Sequence, residues 1–252
     1  MKNMWEKSDY DKLYSLLYGI DVETESNLEK RLSDVRREKI WIIEIITDKM
    51  SKLNGKTRDE FLNKNISALE IGPGEGIMAN WLSEYVGQVH CFDISKSMLD
   101  ACNTYNSKNT NVSTYHIGYN VDKSKQISDY LKKDSVDMAY SQSVFIHLSP
   151  FDFYIYFKDL YPILKTNALI WIDIIDTDVE EFTFNEQELK RQLNTYKEFV
   201  DSSSQYNVLK TLYYINSKSA MKKIGKELGY DLIWSENSKY NPSNVSLIFK
   251  KV

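Results

Sequence analysis

Hydrophobic positions along the chain follow two different periods. In the first third they recur at helical spacing. Leu28, Leu32, Val35, Ile42, Ile43, Ile46 and Met50 fall largely on one face of a helix over residues 28–50. Asn54-Gly55 then breaks the pattern. Ahead of that helix lies an aromatic segment with Trp5, Tyr10, Tyr14, Leu17 and Tyr18. It reads either as an amphipathic helix packed on the body or as a lid over a pocket. From residue 66 onward, short apolar runs alternate with amphipathic stretches. Strands are predicted at 66–71, 89–92, 112–117, 136–140 and 168–175. Helices are predicted through Trp81, Leu82 and Tyr85, and over 95–105 with Met98, Cys102 and Tyr105 on one face. Another begins at Ser149-Pro150, an N-cap followed by proline at the first helical position, and continues through Phe153, Phe157, Leu160 and Leu164.

Strands that alternate with helices imply βαβ units and a parallel sheet. An acidic stretch over 176–205, with Leu189, Leu193, Tyr196 and Val200 at helical spacing, interrupts the rhythm and reads as an inserted helix. Met221, Ile224 and Leu228 predict a last helix capped by Gly229. Strand candidates at 231–235 and 245–250 follow, joined around Asn241-Pro242, which predicts an antiparallel hairpin.

Composition narrows the function classes. The 252 residues are 42% hydrophobic and 27% charged, with a formal net charge of −4, ordinary for a globular chain and without the basic excess of a nucleic-acid binder. Charge is uneven, with eight Lys/Arg against three Asp/Glu over 206–252 and three against nine over 173–205. Two solvated faces account for that more simply than ligand steering. No apolar run reaches the roughly 20 residues of a membrane helix, and the N-terminus lacks the apolar core of a secretory signal. Cys91 and Cys102 are the only cysteines and form no CxxC pair, so neither a disulfide framework nor a cysteine zinc site is expected, and the expected compartment is the cytoplasm. His90, His116 and His147 form no metal-binding pair, and no metal is expected.

The candidate chemistry lies after the first predicted strand, in Leu69-Glu70-Ile71-Gly72-Pro73-Gly74-Glu75-Gly76. Glycines let backbone turn sharply and approach a ligand. A helix N-terminus behind them attracts a negatively charged group. The spacing is GxGxG rather than the GxGxxG of dinucleotide-binding folds, which disfavours an oxidoreductase. Asp93 closes the second strand 17 residues after Gly76, where a carboxylate holds ribose hydroxyls.

These segments, with His90-Cys91-Phe92-Asp93-Ile94-Ser95, resemble the first two motifs of class I S-adenosylmethionine (SAM)-dependent methyltransferases. Residues 134–141 are similar to the family's fourth-strand motif, and Val144-Phe145-Ile146-His147-Leu148 to the element that follows it. Residues 160–173 are similar to its run into the fifth strand, and the last helix and hairpin to its close. The resemblance covers about residues 60–252. It implies a three-layer α/β/α sandwich with a mostly parallel seven-stranded sheet and an antiparallel C-terminal hairpin. A helical N-terminal lid over 1–57 would precede a SAM-binding domain over 58–252 that carries the insert 176–205.

Carried over residue by residue, the resemblance assigns the cofactor site. Gly72, Pro73 and Gly74 would pass the methionyl end, and Glu70 would organise the loop and the amino group. Asp93 would bind the ribose, and Ile94 and Met98 would flank the adenine, though Met98 also reads as helix core. Gly118-Tyr119-Asn120 lacks the acid that the family often places near the adenine amine, which leaves Asn120 or backbone for that contact. Ser141 and Gln142 would meet the methionyl amino group. His147 reads either as the general base or as a structural residue before the Ser149-Pro150 turn. Tyr10 and Tyr14 read either as lid residues touching the substrate, with Tyr14 in a catalytic position, or as plain packing. Asp173, Asp176 and Asp178 read as a strand end and an acidic loop rather than a hard-metal site.

The absence of an [DNS]PP[YFW] tetrapeptide after the fourth strand argues against amide or adenine N-methylation. The absence of a Pro-Cys pair argues against cytosine-C5 chemistry. The expectation is methyl transfer to an oxygen or nitrogen of a small-molecule acceptor: a sugar, a nucleotide-linked sugar, or a capsular polysaccharide or phosphoramidate precursor. The product is S-adenosylhomocysteine, and the protein would act as a monomer or homodimer, with neither membrane nor nucleic acid as the expected partner. An RNA-modifying methyltransferase and a non-catalytic SAM-binding partner subunit remain the alternatives.

Overall fold

The computed structural model describes residues 25–118, 125–176, 178, 215–238 and 244–252. The expectations on Tyr10, Tyr14, Tyr119, Asn120, the helix of the insert and the Asn241-Pro242 turn lie outside the described residues.

The long helix predicted from the first apolar stripe is α1 (Glu25–Leu53). Ile43, Ile46 and Met50 are buried along it, while Trp41 and Ile45 face outward and are exposed. A single turn, α2 (Arg58–Phe61), follows, started by a reciprocal cap between Thr57 and Glu60. The alternating region then runs β1 (Ser67–Ile71), α3 (Ile77–Ser83), β2 (Gln88–Asp93), α4 (Lys96–Tyr105), β3 (Val112–His116), β4 (Val136–Tyr140), α5 (Pro150–Leu160) and β5 (Leu164–Asp176). The chain closes with β6 (Ile215–Asn216), α6 (Lys218–Glu227), β7 (Tyr230–Asn237) and β8 (Asn244–Lys251). Ser149 caps α5 with Pro150 in its first turn, as its sequence predicts.

The sheet order is β3-β2-β1-β4-β5-β8-β7. Its first five strands are parallel, and β8 runs antiparallel to both β5 and β7. This is the expected seven-stranded mixed sheet. An eighth strand, the two-residue β6, pairs parallel with Ile175 and Asp176. The fifth strand starts at Leu164 rather than at 168. Leu164 pairs with Val136, and the register then shifts across Asn167, whose φ is +67°, before pairing resumes at Leu169.

Alternation along the central strands feeds two cores, one on each face. Leu69, Ile71, Phe92, Ile170 and Ile172 point to the layer of α5 and α6, where Phe145, Phe153, Phe157 and Phe249 interlock. Ala68, Cys91, Met138, Tyr140 and Trp171 point to the layer with Ile43, Met50, Met78 and Leu82. That second layer seats α1 against α3 and so above the turn that follows β1. One face assignment fails. Cys102 is buried, but Tyr105 points to solvent, where the Arg36 guanidinium stands 5.3 Å above its ring. Cation and ring stabilise each other there without burial.

Candidate active site

Parallel pairing brings the C-terminal ends of β1, β2 and β4 to one edge of the sheet, with Glu70 in register with Cys91 on one side and Tyr140 on the other. Strand order reverses between β1 and β4, which is where open α/β sheets receive ligands. The glycine-rich turn leaves β1 at that point.

Its three glycines all have positive φ: +69° at Gly72, +56° at Gly74 and +80° at Gly76. L-residues with side chains rarely adopt that conformation. Space constrains two of them further. A Cβ on Gly72 would lie 2.3 Å from Val144 Cγ2, and one on Gly76 would lie 2.5 Å from both Asn106 Nδ2 and Cys102 Sγ. Gly74 is less confined: among the described residues, chain neighbours aside, a Cβ there would meet only Lys39 Nζ, at 3.7 Å. The turn is braced by the Gly72 N–H donating to Phe92 O at 2.8 Å and the Gly76 N–H donating to Pro73 O at 2.9 Å. The result is a backbone cradle, crowded by side chains at Gly72 and Gly76 and less so at Gly74.

Carboxyl groups surround the cradle. Glu70 is buried beneath it and accepts a hydrogen bond from the Tyr140 hydroxyl at 3.0 Å. Burial pushes its pKa up to about 7, against the Tyr140 hydrogen bond, the charge of Lys39 and the Ala79 amide. Asp93 ends β2 and accepts from the Ser95 N–H at 2.7 Å. Burial pushes it up to about 7 as well, with the Ser95 and Ile94 amides opposing. Ile94 and Met98 follow, both half-buried, and the α4 N-cap Ser95 accepts from the Met98 N–H.

The turn after β4 forms the opposite wall. Ser141 is buried, its hydroxyl donating to Ile71 O at 2.8 Å and its N–H to Trp171 O at 2.9 Å, so it ties β1 to β5. Gln142 Oε1 is buried without a hydrogen-bond partner among the described residues. Ser143 takes φ +58°, and its N–H donates to both Asp173 oxygens, at 2.8 and 3.0 Å. That contact holds Val144 over Gly72. Phe145–His147 form one tight turn, with Phe145 buried among Phe153, Tyr156 and Phe157 and His147 half-buried.

The three aspartates here have separate backbone and hydroxyl partners. Asp173 serves Ser143, Asp176 accepts from the Lys218 N–H at 2.8 Å, and Asp178 accepts from Ser217 and Ser219. Among the described residues no group of three His, Cys, Asp or Glu is placed to hold a metal.

Comparisons with known proteins agree with this fold. Residues 69–172 match the family described as a methyltransferase domain. The chain is similar in structure to an SAM-dependent methyltransferase from Aquifex aeolicus, with TM-score 0.57 and 15% identity over 91% of this chain and 100% of that one. It is also similar to magnesium protoporphyrin IX methyltransferase from Synechocystis PCC 6803 with bound SAH, with TM-score 0.61 and 12% identity over 97% and 95%. A third similar structure is geranyl diphosphate C-methyltransferase from Streptomyces coelicolor A3(2), with TM-score 0.63 and 10% identity over 92% and 86%. No curated protein matches the chain.

Residues 69–172 match a methyltransferase domain, the fold is that of class I methyltransferases, and together these support an enzyme. In this fold the loop, Glu70, Asp93, Ser141 and Gln142 come together at one sheet edge. Lys39, Tyr140, Val144 and Asp173 join them without having been assigned a place in the cofactor site from sequence. Tyr140 closes a predicted strand, and that position marks it, whereas Asp173 lies inside the predicted fifth strand. Lys39 carries no such signal.

Three carboxyls with raised pKa values make stability pH-dependent. The folded apo-protein holds protons on Glu70, Asp93 and Asp173 up to about pH 7, whereas the unfolded chain releases them near their ordinary values. Folded stability from these groups is therefore present at low pH and lost as pH rises from about 4 to about 7. Glu70→Gln should raise the melting temperature at pH 8 and flatten that decline. Calorimetric melts of both proteins from pH 5.5 to 8.5 check this, and parallel curves would contradict it.

Proposed function

We propose that the protein transfers a methyl group from SAM to an oxygen or nitrogen of a small-molecule acceptor. The observation that carries the reading is the cradle itself: three glycines at positive φ, the middle one with no close side-chain clash among the described residues, beside a carboxylate at the end of the adjacent strand. It suits a ligand with a thin amino-acid tail and a single ribose. When bound, SAM supplies a methyl carbon on a sulfonium, ready for in-line displacement. The chain's own residues would have to set the acceptor heteroatom in line with that methyl and receive the acceptor's proton.

The protein's part is chiefly alignment. Gly72, Pro73 and Gly74 would let the tail pass. The Asp93 carboxylate would accept from two ribose hydroxyls. Ile94 and Met98 would flank the base, with Tyr119 and Asn120 completing that side. The unpartnered Gln142 Oε1 is an acceptor suited to an ammonium, with Ser141 beside it. His147, on the turn after β4, would take the acceptor's proton. Tyr10 and Tyr14 would cover the acceptor from a helical lid over 1–57, with the insert 176–205 on the same side.

A sugar, a nucleotide-linked sugar, or a capsular polysaccharide or phosphoramidate precursor is the acceptor class we propose, on the sequence resemblance. No described helix is long and apolar enough to cross a membrane. Cys91 and Cys102 are buried free thiols, which suits a cytoplasmic location. Incubation of the protein and SAM with a panel of activated sugars and surface-glycan precursors, read by mass, tests the acceptor class. A gain of one methyl on a sugar-bearing compound is expected, and none across the panel would overturn this choice.

Two outcomes follow from the assigned roles. Asp93→Ala should weaken S-adenosylhomocysteine by about 10- to 100-fold, the range of a lost charge-assisted hydrogen bond. Gly74→Val should abolish binding, and NAD should not bind the wild type. Unchanged affinity in Asp93→Ala, by titration calorimetry, contradicts the ribose assignment.

For His147 the test is the rate. His147→Asn should lower kcat by about 10²–10⁴-fold with little change in cofactor affinity. It should also remove an acid limb in the pH–rate profile near the imidazole range. A variant that folds and keeps full rate makes His147 a structural residue of the turn.

A further inference from the structure

Any SAM tail that enters the cradle brings a carboxylate into acidic surroundings. Glu70, Asp93 and Asp173 all lie at this edge of the sheet. Two loop amides that would otherwise face an anion are spent internally, Gly72 on Phe92 O and Gly76 on Pro73 O. A compensating positive charge has to come from another element.

Lys39 is positioned to supply it. It lies on α1, one turn before buried Ile43, on the face that α1 turns toward α3. Among the described residues, chain neighbours aside, its ammonium is the one heavy atom within 4 Å of where a Gly74 Cβ would lie, and its charge reaches Glu70. Among the described residues it forms no ion pair with any carboxylate, unlike Lys52 with Asp48 or Lys165 with Asp137. The helix is held in place on both sides of it. Ile43, Ile46 and Met50 seat it among Met78 and Leu82, and Arg36 anchors it over Tyr105 on α4.

We propose that Lys39 is the cation that pairs with the carboxylate of the cofactor's amino-acid tail, so that α1 forms one wall of the cofactor site and not only a cover. This rests on the cofactor reading above. It also makes the N-terminal helix part of cofactor discrimination: ligands with the same nucleoside but no carboxylate would not gain from Lys39. Cofactor binding and the seating of α1 on the loop would then favour each other, because each completes the other's charge environment.

The test compares S-adenosylhomocysteine with its decarboxylated analogue, the same nucleoside thioether ending in an amine, by titration calorimetry against wild type, Lys39→Met, Lys39→Arg and Lys52→Met. Wild type should prefer S-adenosylhomocysteine. Lys39→Met should lose about 10- to 100-fold for it, as a charge-assisted hydrogen bond converts to affinity, and change less than about twofold for the analogue. Lys39→Arg should recover most of the preference, and Lys52→Met should behave as wild type. The unchanged affinity for the analogue shows that Lys39→Met is folded. Equal losses for both ligands in Lys39→Met, or no loss for either, overturn the role of Lys39 alone. A wild type that binds neither ligand overturns the cofactor reading beneath it.

Discussion

Between β1 and α3 the backbone is squeezed by two neighbours. Val144 approaches Gly72 so closely that a single Cβ would sit 2.3 Å from its methyl, and Cys102 and Asn106 crowd Gly76 in the same way. The turn can thread this gap only with glycine at both points, in a conformation that glycine adopts without strain. Much of the site's construction maintains that squeeze. Asp173 holds Ser143 so that Val144 stays in place, and Ser141 bonds to Ile71 and Trp171 so that β1, β4 and β5 keep their spacing. The Cys102 end of α4 packs beneath Gly76, with Asn106 donating to Gly76 O at 3.1 Å.

The cradle therefore works as a rigid backbone surface whose chemistry comes from its rim. Glu70, Asp93 and Asp173 are each pushed to about 7 by burial, so each is poorly solvated when ionised. A ligand that carries hydroxyls and an ammonium would relieve this by donating hydrogen bonds to them, and a carboxylate would worsen it unless a cation is present. That balance of needs matches a cofactor that has a ribose, an ammonium and a carboxylate. It also gives Lys39 its significance. Structures of this fold include a magnesium protoporphyrin IX methyltransferase and a geranyl diphosphate C-methyltransferase, so the fold by itself does not name an acceptor.

Strand and loop chemistry was legible in the sequence because it is local. Period-two alternation marks β1 and β2, and the glycine spacing and Asp93 lie within 24 consecutive residues. Tyr105 misled because it shares the helical spacing of Met98 and Cys102, yet a cation–ring contact with Arg36 satisfies it in solvent. The start of β5 was missed because Leu164–Ala168 looks like a turn. It is a register shift, with Lys165 held by Asp137 at 2.7 Å. Partners distant in sequence were not legible at all. Tyr140 meets Glu70 across 70 residues, and Ser143 meets Asp173 across 30. Lys39 depends on how α1 seats on α3, which no periodicity encodes.

A crystal structure of the protein with S-adenosylhomocysteine tests the central claim most directly. The account predicts the ribose hydroxyls on Asp93, the thioether tail crossing Gly74, and the tail's carboxylate facing Lys39. A nucleoside bound elsewhere on the sheet, or one reversed so that its base lies over Gly74, would contradict it.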